Sequence, residues 1–247
     1  MRSAAQPLRL AMWSGPRSVS TAMMRAFENR PDTVVVDEPF YAYYLQRTSV
    51  DHPGAAEVLA DGVTDWRQVV ESLRQPLSEG KSIFFQKQMA LHLLPEIDRS
   101  WLADVTSCFL IREPRDVITS YIAQRPQVDL FDLGFVQQSE LYRWVTRNTE
   151  QDPPVVDARD LQNHPRPVLE ELCRRIGVPF DERMLGWPPG ARATDGVWAP
   201  HWYAAVEKST GFSAYRPRQE AVPEHLREIY EVCLDEYQKL YEHRIRP

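Results

Sequence analysis

The first residues that could bind an anion lie in segment 14–21, which reads SGPRSVST and stands between an apolar stretch and a helical pattern. A helix amino terminus presents free backbone N–H groups and the positive end of the helix dipole, both of which favour anions. Arg17 adds a fixed charge whose fork geometry matches phosphate or sulfate oxygens. Ser18, Ser20 and Thr21 add hydroxyl donors. The segment therefore predicts an anion site, although its hydroxyls could instead serve only as helix caps.

Arg112 and Ser120 form a second candidate group in segment 112–120, REPRDVITS. Arg112 follows an apolar strand pattern, and Ser120 falls about two turns into the helix that comes next. Ligands of open α/β sheets collect at the carboxyl ends of the strands. The pair therefore predicts a second phosphate site, separate from the first loop. The alternative is an ordinary strand-to-helix junction with a surface ion pair between Arg115 and Asp116.

The elements that must position these residues alternate along the chain. Short apolar runs predict strands at residues 8–13, 33–36, 82–85, 107–111 and 155–156. Helical patterns cover residues 21–29, 114–123, 138–145, 165–176 and 223–243. Alternating strands and helices are typical of βαβ units and a parallel sheet. We expect one α/β domain over residues 1–247, with residues 187–219, rich in proline, glycine and aromatics, forming a long loop or lid.

Composition limits the classes of function. The 247 residues carry a formal net charge of −6, which disfavours a sequence-independent nucleic-acid binder. The sequence has no apolar run of transmembrane length and no amino-terminal secretory pattern, so we expect no membrane association. Cys108, Cys173 and Cys233 lie in apolar patterns and are predicted to be reduced core residues. A cytoplasmic location is the expectation, and no ligand spacing predicts a metal site.

The two anion motifs together resemble the 5′- and 3′-phosphate-binding elements of the sulfotransferase family. Their order, separation and local context match, and residues 155–179 resemble the late strand and helix of that family. The resemblance covers roughly residues 8–180. It implies a P-loop-type parallel sheet flanked by helices in three layers, with 3′-phosphoadenylyl sulfate as the donor. Arg17, Ser18, Val19, Ser20 and Thr21 would then bind the donor.

The loop departs from two related patterns. A Walker A element would need a second glycine and a lysine, and the loop has neither. The sulfotransferase family usually has glycine at the position of Val19 and often lysine at the position of Arg17. Arg17 keeps the charge, whereas a valine is expected to limit this backbone position to negative φ.

The resemblance also implies where the reaction occurs. Sulfuryl transfer needs cations near the leaving phosphate and a base near the acceptor. Arg17 is expected to be the first cation, and Lys87 matches the second by position. Many relatives have a histidine where this chain has Met89; His92 could reach the same space if the segment turns as a helix. Glu38, in an E-P-F context at a strand end, is the favoured base, since a partly buried carboxylate has a raised pKa.

The remaining expectations concern the donor's 3′-phosphate and the acceptor. Arg112 and Ser120 would bind the 3′-phosphate, and Lys208 and Gly211 would bring a basic loop over it. Half of the aromatic residues at 40–44 and 198–203 are expected to belong to the core, and the others to wall a pocket for a small hydroxyl or amine acceptor. Two alternatives are open. One is a kinase-like phosphotransferase with a degenerate loop, and the other is a nucleotide-binding protein without catalysis.

Overall fold

The computed structural model describes residues 7–247 and contains a five-stranded sheet in which every neighbouring pair is parallel. The strands are β1 (Leu8–Ser14), β2 (Thr33–Asp37), β3 (Ile83–Met89), β4 (Thr106–Ile111) and β5 (Val155–Asp157). Their order across the sheet is β2-β3-β1-β4-β5. The chain therefore crosses from β3 over β1 to β4, and the carboxyl ends of all the strands lie at one edge. This edge is where a parallel sheet collects its ligands.

Helices cover both faces of the sheet, because its strands are apolar on both sides. They are α1 (Ser20–Glu28), α2 (Tyr41–Thr48), α3 (Ala55–Asp61), α4 (Trp66–Arg74), α5 (Pro114–Ile122), α6 (Leu130–Leu133), α7 (Phe135–Asn148), α8 (Ala158–Asn163), α9 (Pro165–Ile176), α10 (Ala199–Trp202), α11 (Ala204–Glu207) and α12 (Arg227–Tyr241). None of the helices in the described part of the chain is long and apolar enough to cross a membrane.

Two apolar cores lie on opposite sides of the sheet, and β1 contributes alternate residues to each. Leu10 and Met12 pack with α1 and α9, whereas Ala11 and Trp13 pack with α2, α5, α7 and α12. This alternation follows from the period of two in a strand. The predicted α/β fold with a parallel sheet between two helical layers is confirmed. The three cysteines are buried and unpaired, as predicted.

The predicted elements differ from the structure in the length of β3 and in several helices. The third strand was predicted to end at Phe85, but β3 continues to Met89 and all of its residues are buried. Its polar residues therefore lie inside the sheet rather than in a loop. Helices α2, α3, α4, α6 and α8 were not predicted. Segment 187–219 contains two short helices, α10 and α11, so it is more regular than the predicted loop.

Candidate functional site

A cavity of about 320 Å³ opens at the carboxyl ends of the strands. Its wall contains the loop between β1 and α1, the end of β2, the end of β3 and part of segment 187–219. Of the residues predicted from sequence, it brings together Arg17, Ser18, Val19, Ser20, Thr21, Glu38, Lys87, His92, Arg112 and Gly211. Both anion motifs and both candidate bases therefore face one space.

The loop after β1 adopts a conformation that the sequence argument excluded. Val19 has φ 58° and ψ 21°, and Arg17 also has a positive φ of 58°. The expected restriction of Val19 to negative φ is wrong, because the sharp turn into α1 requires a left-handed residue there. A β-branched residue adopts this conformation at a cost of about 1–3 kcal/mol. Such strain is retained where the surrounding structure determines the loop.

The hydroxyls of this loop do not cap α1. Val19 is the N-cap residue, and no side chain accepts a hydrogen bond from the first turn. Ser18 donates to the carbonyl of Pro16 over 3.2 Å, and Ser20 is buried against the cavity. The alternative in which these hydroxyls serve only as caps is therefore wrong. The N–H groups at the start of α1 are free of side-chain partners, which leaves them available to an anion.

The two anion motifs are in direct contact rather than separate. The guanidinium Nε of Arg17 donates to Ser120 Oγ over 3.0 Å, and Arg112 Nη1 donates to the backbone carbonyl of Arg17 over 2.7 Å. Parallel pairing of β1 with β4 places the two strand ends side by side, so the loops that follow them meet. The alternative had an ion pair between Arg115 and Asp116; in the structure Arg112 faces Asp116 instead, with its Nη2 3.7 Å from the buried carboxylate.

A third arginine joins this group. Burial and the charges of Arg112 and Arg218 lower the pKa of Arg17. Burial lowers the pKa of Arg112 as well; Asp116 opposes this shift, and Arg218 adds to it. Sequence reasoning missed Arg218, which lies in segment 187–219 about one hundred positions from Arg112. The positive charges around Arg17 and Arg112 therefore oppose the charged forms of these two residues, and a bound anion would relieve this repulsion.

Lys208 and Ser120, predicted for the same site, are not part of the cavity wall. Lys208 is exposed at the end of α11, whereas its neighbours Ser209 and Gly211 line the cavity. Ser120 is buried behind Arg17 and reaches the site only through the hydrogen bond to it. The match of Lys208 to a basic loop was positional. Arg218 of the same segment is also outside the cavity wall, but it is close enough for its charge to lower the pKa of Arg17 and of Arg112.

Glu38 points into the cavity because the chain bends sharply after β2. Its φ is +42°, its N–H donates to the carbonyl of Lys87 over 2.9 Å, and its carbonyl accepts from the N–H of Tyr41 over 3.0 Å. These backbone bonds hold the residue at the strand end. Burial raises the pKa of the Glu38 carboxyl above its ordinary value; Lys87 opposes the shift, and Asp37 adds to it. A carboxylate of raised pKa is suited to accept a proton.

Lys87 lies two residues before the end of β3 and is buried. Its Nζ donates to Asp37 Oδ1 over 2.7 Å, to Tyr203 Oη over 2.8 Å and to Glu38 Oε1. Burial alone would lower the pKa of Lys87, but the two carboxylates outweigh it and hold this pKa well above its ordinary value. The lysine was predicted as a second cation for the leaving group. In this arrangement all three of its N–H groups contact protein oxygens.

His92 reaches the cavity as the sequence argument required. Residues Ala90–His92 form a turn of 3₁₀ helix directly after β3. The imidazole stacks between Tyr41 and Tyr44, with ring centroids 4.8 Å and 4.6 Å away. Burial, together with the charges of His52 and Lys87, lowers the pKa of His92 well below its ordinary value, so the ring is neutral at physiological pH. Its Nδ1 has no hydrogen-bond partner among residues 7–247 and lies 3.9 Å from Glu38 Oε2.

Aromatic and apolar side chains form the rest of the wall. Four of the eight aromatic or histidine residues considered from sequence line it, namely Tyr41, Trp198, Trp202 and Tyr203. Phe40, Tyr43 and Tyr44 belong to the core. His52 also lines the cavity, and the sequence argument missed it. Its Nδ1 pairs with Tyr41 Oη over 2.9 Å, and burial lowers the pKa of His52 to about 4.

Within residues 7–247, no group of three or more His, Cys, Asp or Glu side chains is arranged to hold a metal ion.

The chain is similar to known proteins in both sequence and structure. Residues 8–233 match the model of a family described as "Sulfotransferase domain". Two Arabidopsis thaliana proteins named branched-chain-amino-acid aminotransferase-like protein 2 and protein 1 are each 33% identical, over 91% and 97% of this chain. The match covers 40% and 42% of those proteins, so the chain spans about two fifths of their length.

Solved structures share the fold at low sequence identity. The sulfotransferase domain of the Synechococcus PCC 7002 olefin synthase matches with a TM-score of 0.58 and 17% identity, covering 96% of this chain and 98% of that domain. A sulfotransferase from Alicyclobacillus acidocaldarius matches with a TM-score of 0.55 and 10% identity, covering 98% of each chain. The family match over most of the chain, on a fold that the solved structures share, means that this chain belongs to the sulfotransferase family.

Proposed function

We propose that the protein transfers the sulfuryl group of 3′-phosphoadenylyl sulfate to a hydroxyl or amine of a small-molecule acceptor. The observation that carries the proposal is the composition of one cavity. Arg17 and Arg112 lie in its wall together with Glu38 and His92. Cations for a nucleotide anion and a base for an acceptor thus face the same space, as an in-line transfer requires.

The cationic part of the cavity suits the donor. The amino terminus of α1 and the hydroxyls of Ser18, Ser20 and Thr21 would bind the 5′-phosphosulfate. Arg112 and Arg218 would bind the 3′-phosphate, whose charge relieves the repulsion between these arginines and Arg17. Ser120 acts through its hydrogen bond to Arg17, which it orients. Gly211 lines the same space, and we assign Lys208 no contact with the donor because of its exposed position.

The apolar part of the cavity suits a small acceptor. Tyr41, Trp198 and Trp202 wall it, and Met89 and Leu91 add apolar surface. A pocket of this composition binds a compact, partly apolar molecule through burial of its surface. No nucleic acid or membrane surface is needed for such an acceptor. The buried, unpaired cysteines agree with the cytoplasmic location expected from sequence.

The reaction follows from these positions. The proton of the acceptor's hydroxyl or amine moves to the Glu38 carboxylate as the acceptor atom forms its bond to sulfur. The bond between sulfur and the bridging oxygen breaks, and adenosine 3′,5′-bisphosphate leaves. Arg17 stabilises the negative charge that develops on the leaving phosphate. His92, which is neutral, positions the acceptor against Glu38.

Ligand-dependent melting separates this function from the two alternatives. Adenosine 3′,5′-bisphosphate should raise the melting temperature, whereas Mg·ATP at the same concentration should not. Incubation with radiolabelled 3′-phosphoadenylyl [³⁵S]sulfate and a panel of phenols, alcohols and amines should then label an acceptor. Stabilisation by Mg·ATP alone favours the kinase-like alternative. Binding of the bisphosphate without transfer to any acceptor favours a non-catalytic protein.

A further inference from the structure

A buried network of hydrogen bonds joins β2, β3 and segment 187–219 beneath the cavity. Lys87 lies at its centre and donates one hydrogen bond each to Asp37, Glu38 and Tyr203. The side chains of Lys87 and Asp37 are 2% and 1% exposed, whereas that of Glu38 is 12% exposed. Since an ammonium group has three N–H donors, Lys87 has none left for a bound sulfate or phosphate. Its effect on the reaction must pass through the groups that it holds.

Tyr203 closes the network from the opposite side. Its hydroxyl donates to Asp37 Oδ2 over 2.5 Å and accepts from Lys87 Nζ and from Trp198 Nε1, the latter over 3.2 Å. The backbone N–H of Gly196 lies 3.4 Å from the same Asp37 oxygen. Asp37 thus receives hydrogen bonds from two positions of segment 196–203, and this segment carries the Trp198 wall of the cavity.

Residues 195–203, which we term the strap, have a second anchor that does not involve Lys87. Asp195 pairs with the buried Arg25 of α1 through both carboxylate oxygens, over 2.6 Å and 2.7 Å. The strap is therefore fixed at each end by a hydrogen-bonded charge, once to α1 and once to the ends of β2 and β3. Only the second anchor touches the candidate base.

The network determines how Glu38 faces its neighbours. Lys87 holds Glu38 Oε1, and this leaves Oε2 on the side of His92, 3.9 Å from Nδ1. Without the bond to Lys87, the carboxylate would be free to rotate. Asp37 and Tyr203 in turn fix the ammonium group, because they take its other two donors.

We propose that Asp37 and Tyr203 are positioning residues that hold Lys87 and, through it, aim Glu38 at the acceptor site. The inference rests on the proposed function, in which Glu38 is the base. It assigns Lys87 to orientation of the base rather than to contact with the donor. The same hydrogen bonds of Asp37 form one of the two anchors of the strap.

The test uses Asp37→Asn, which keeps the size of the side chain and removes its charge. The charged and titratable groups that face Glu38 are Asp37, Lys87, His92, Tyr41 and Tyr203. The substitution removes the negative charge of Asp37, which raises the pKa of Glu38. It also leaves Glu38 as the only carboxylate that pairs with the Lys87 ammonium group. Both effects favour the ionised form of Glu38. Glu38 should therefore titrate at lower pH. Carbon-13 NMR of the labelled carboxyl groups measures this, with the Glu38 signal assigned by its loss in Glu38→Gln.

Asp195→Asn is the matched control because it loosens the other anchor of the strap. Both variants should speed amide hydrogen exchange in residues 196–203, by about tenfold or more for the loss of a hydrogen bond to a charged group. Only Asp37→Asn should shift the titration of Glu38. An unchanged Glu38 titration in Asp37→Asn, or an equal shift in Asp195→Asn, would overturn the proposal.

Tyr203→Phe provides an independent variant if Asp37→Asn fails to fold. Removal of the hydroxyl should speed exchange in the strap and lower kcat by about tenfold, with the KM for the donor unchanged. An unchanged kcat with only a lower melting temperature would show that the tyrosine is merely structural. Transfer by the wild-type protein is measured in parallel. Its absence counts against the proposed function, whereas the Glu38 titration still tests the network.

Discussion

Glu38 Oε2 and His92 Nδ1 face each other across 3.9 Å in the wall of one cavity. The distance is too long for a direct hydrogen bond, and it suits a single oxygen or nitrogen atom in contact with both. The two residues proposed from sequence as competing bases therefore form one site. Glu38 has a raised pKa and would accept the proton, whereas the neutral His92 would hold the acceptor atom.

Glu38→Gln should lower kcat by at least about a hundredfold, because a positioned base contributes about 10²–10⁴-fold. The affinity for adenosine 3′,5′-bisphosphate should stay intact, as measured by calorimetry. His92→Gln, which keeps a hydrogen-bonding group, should lower kcat by less than about tenfold. The reverse ranking of the two variants in steady-state kinetics would exchange their roles.

Arg218→Ala should weaken the binding of adenosine 3′,5′-bisphosphate by about 2–3 kcal/mol, because a charge-assisted contact to the 3′-phosphate is lost. Adenosine 5′-phosphate lacks that group, so its affinity should barely change. Arg216→Ala is the matched control, since Arg216 is exposed two positions earlier in the same segment. Equal losses of affinity for the two nucleotides in calorimetry would show that Arg218 does not bind the 3′-phosphate.

Arg112→Ala should weaken the binding of both nucleotides, because Arg112 also donates a hydrogen bond to the backbone carbonyl of Arg17.

Val19→Gly should be more stable than Val19→Ala by about 1 kcal/mol, which is the reverse of the usual order in a helix interior. Alanine at this position keeps the cost of the positive φ and loses valine packing, whereas glycine has no such cost. Urea unfolding measures the two free energies. Ala22→Gly, in the first turn of α1, should instead lower the free energy of unfolding by about 1 kcal/mol. A lower stability of Val19→Gly than of Val19→Ala would contradict the strain assigned to this loop.

Stability should fall as the pH falls from about 6.5 towards 4. His52 has a pKa of about 4 in the folded protein against 6.5 as its ordinary value. Between these pH values the unfolded chain binds the proton and the folded chain does not, so acidification favours unfolding. His92 acts in the same direction because its pKa is also lowered. His52→Gln should reduce the difference in unfolding free energy between pH 7 and pH 5.

His225→Gln is the comparison for this pH effect, because His225 is exposed in a 3₁₀ turn before α12. It should leave the difference between pH 7 and pH 5 in place. An equal reduction in both histidine variants would mean that the loss of stability at low pH does not come from burial of His52.

Local pattern was sufficient to predict the frame of the molecule. Apolar runs located all five strands to within a few residues, since strands covered on both faces are mostly apolar. Helix α9 was predicted with its observed bounds, because Pro165 begins it and Gly177 ends it with a positive φ of 75°. The loop between β1 and α1 could be recognised as a candidate anion site because a strand, a loop and a helix that are contiguous in the chain form it.

The contacts of the site depended on the tertiary structure. Lys87 could be placed near a strand end, but its bonds to Asp37 and Tyr203 join residues 50 and 116 positions away. Arg218 joined Arg17 and Arg112 without any local signal, and Lys208 was predicted in its place. Sequence spacing specifies a residue's neighbours only within one element or one turn. Neighbours across a sheet or from a returning segment depend on how the elements pack, and in this protein packing decided which arginines lie near Arg17 and which carboxylates Lys87 binds.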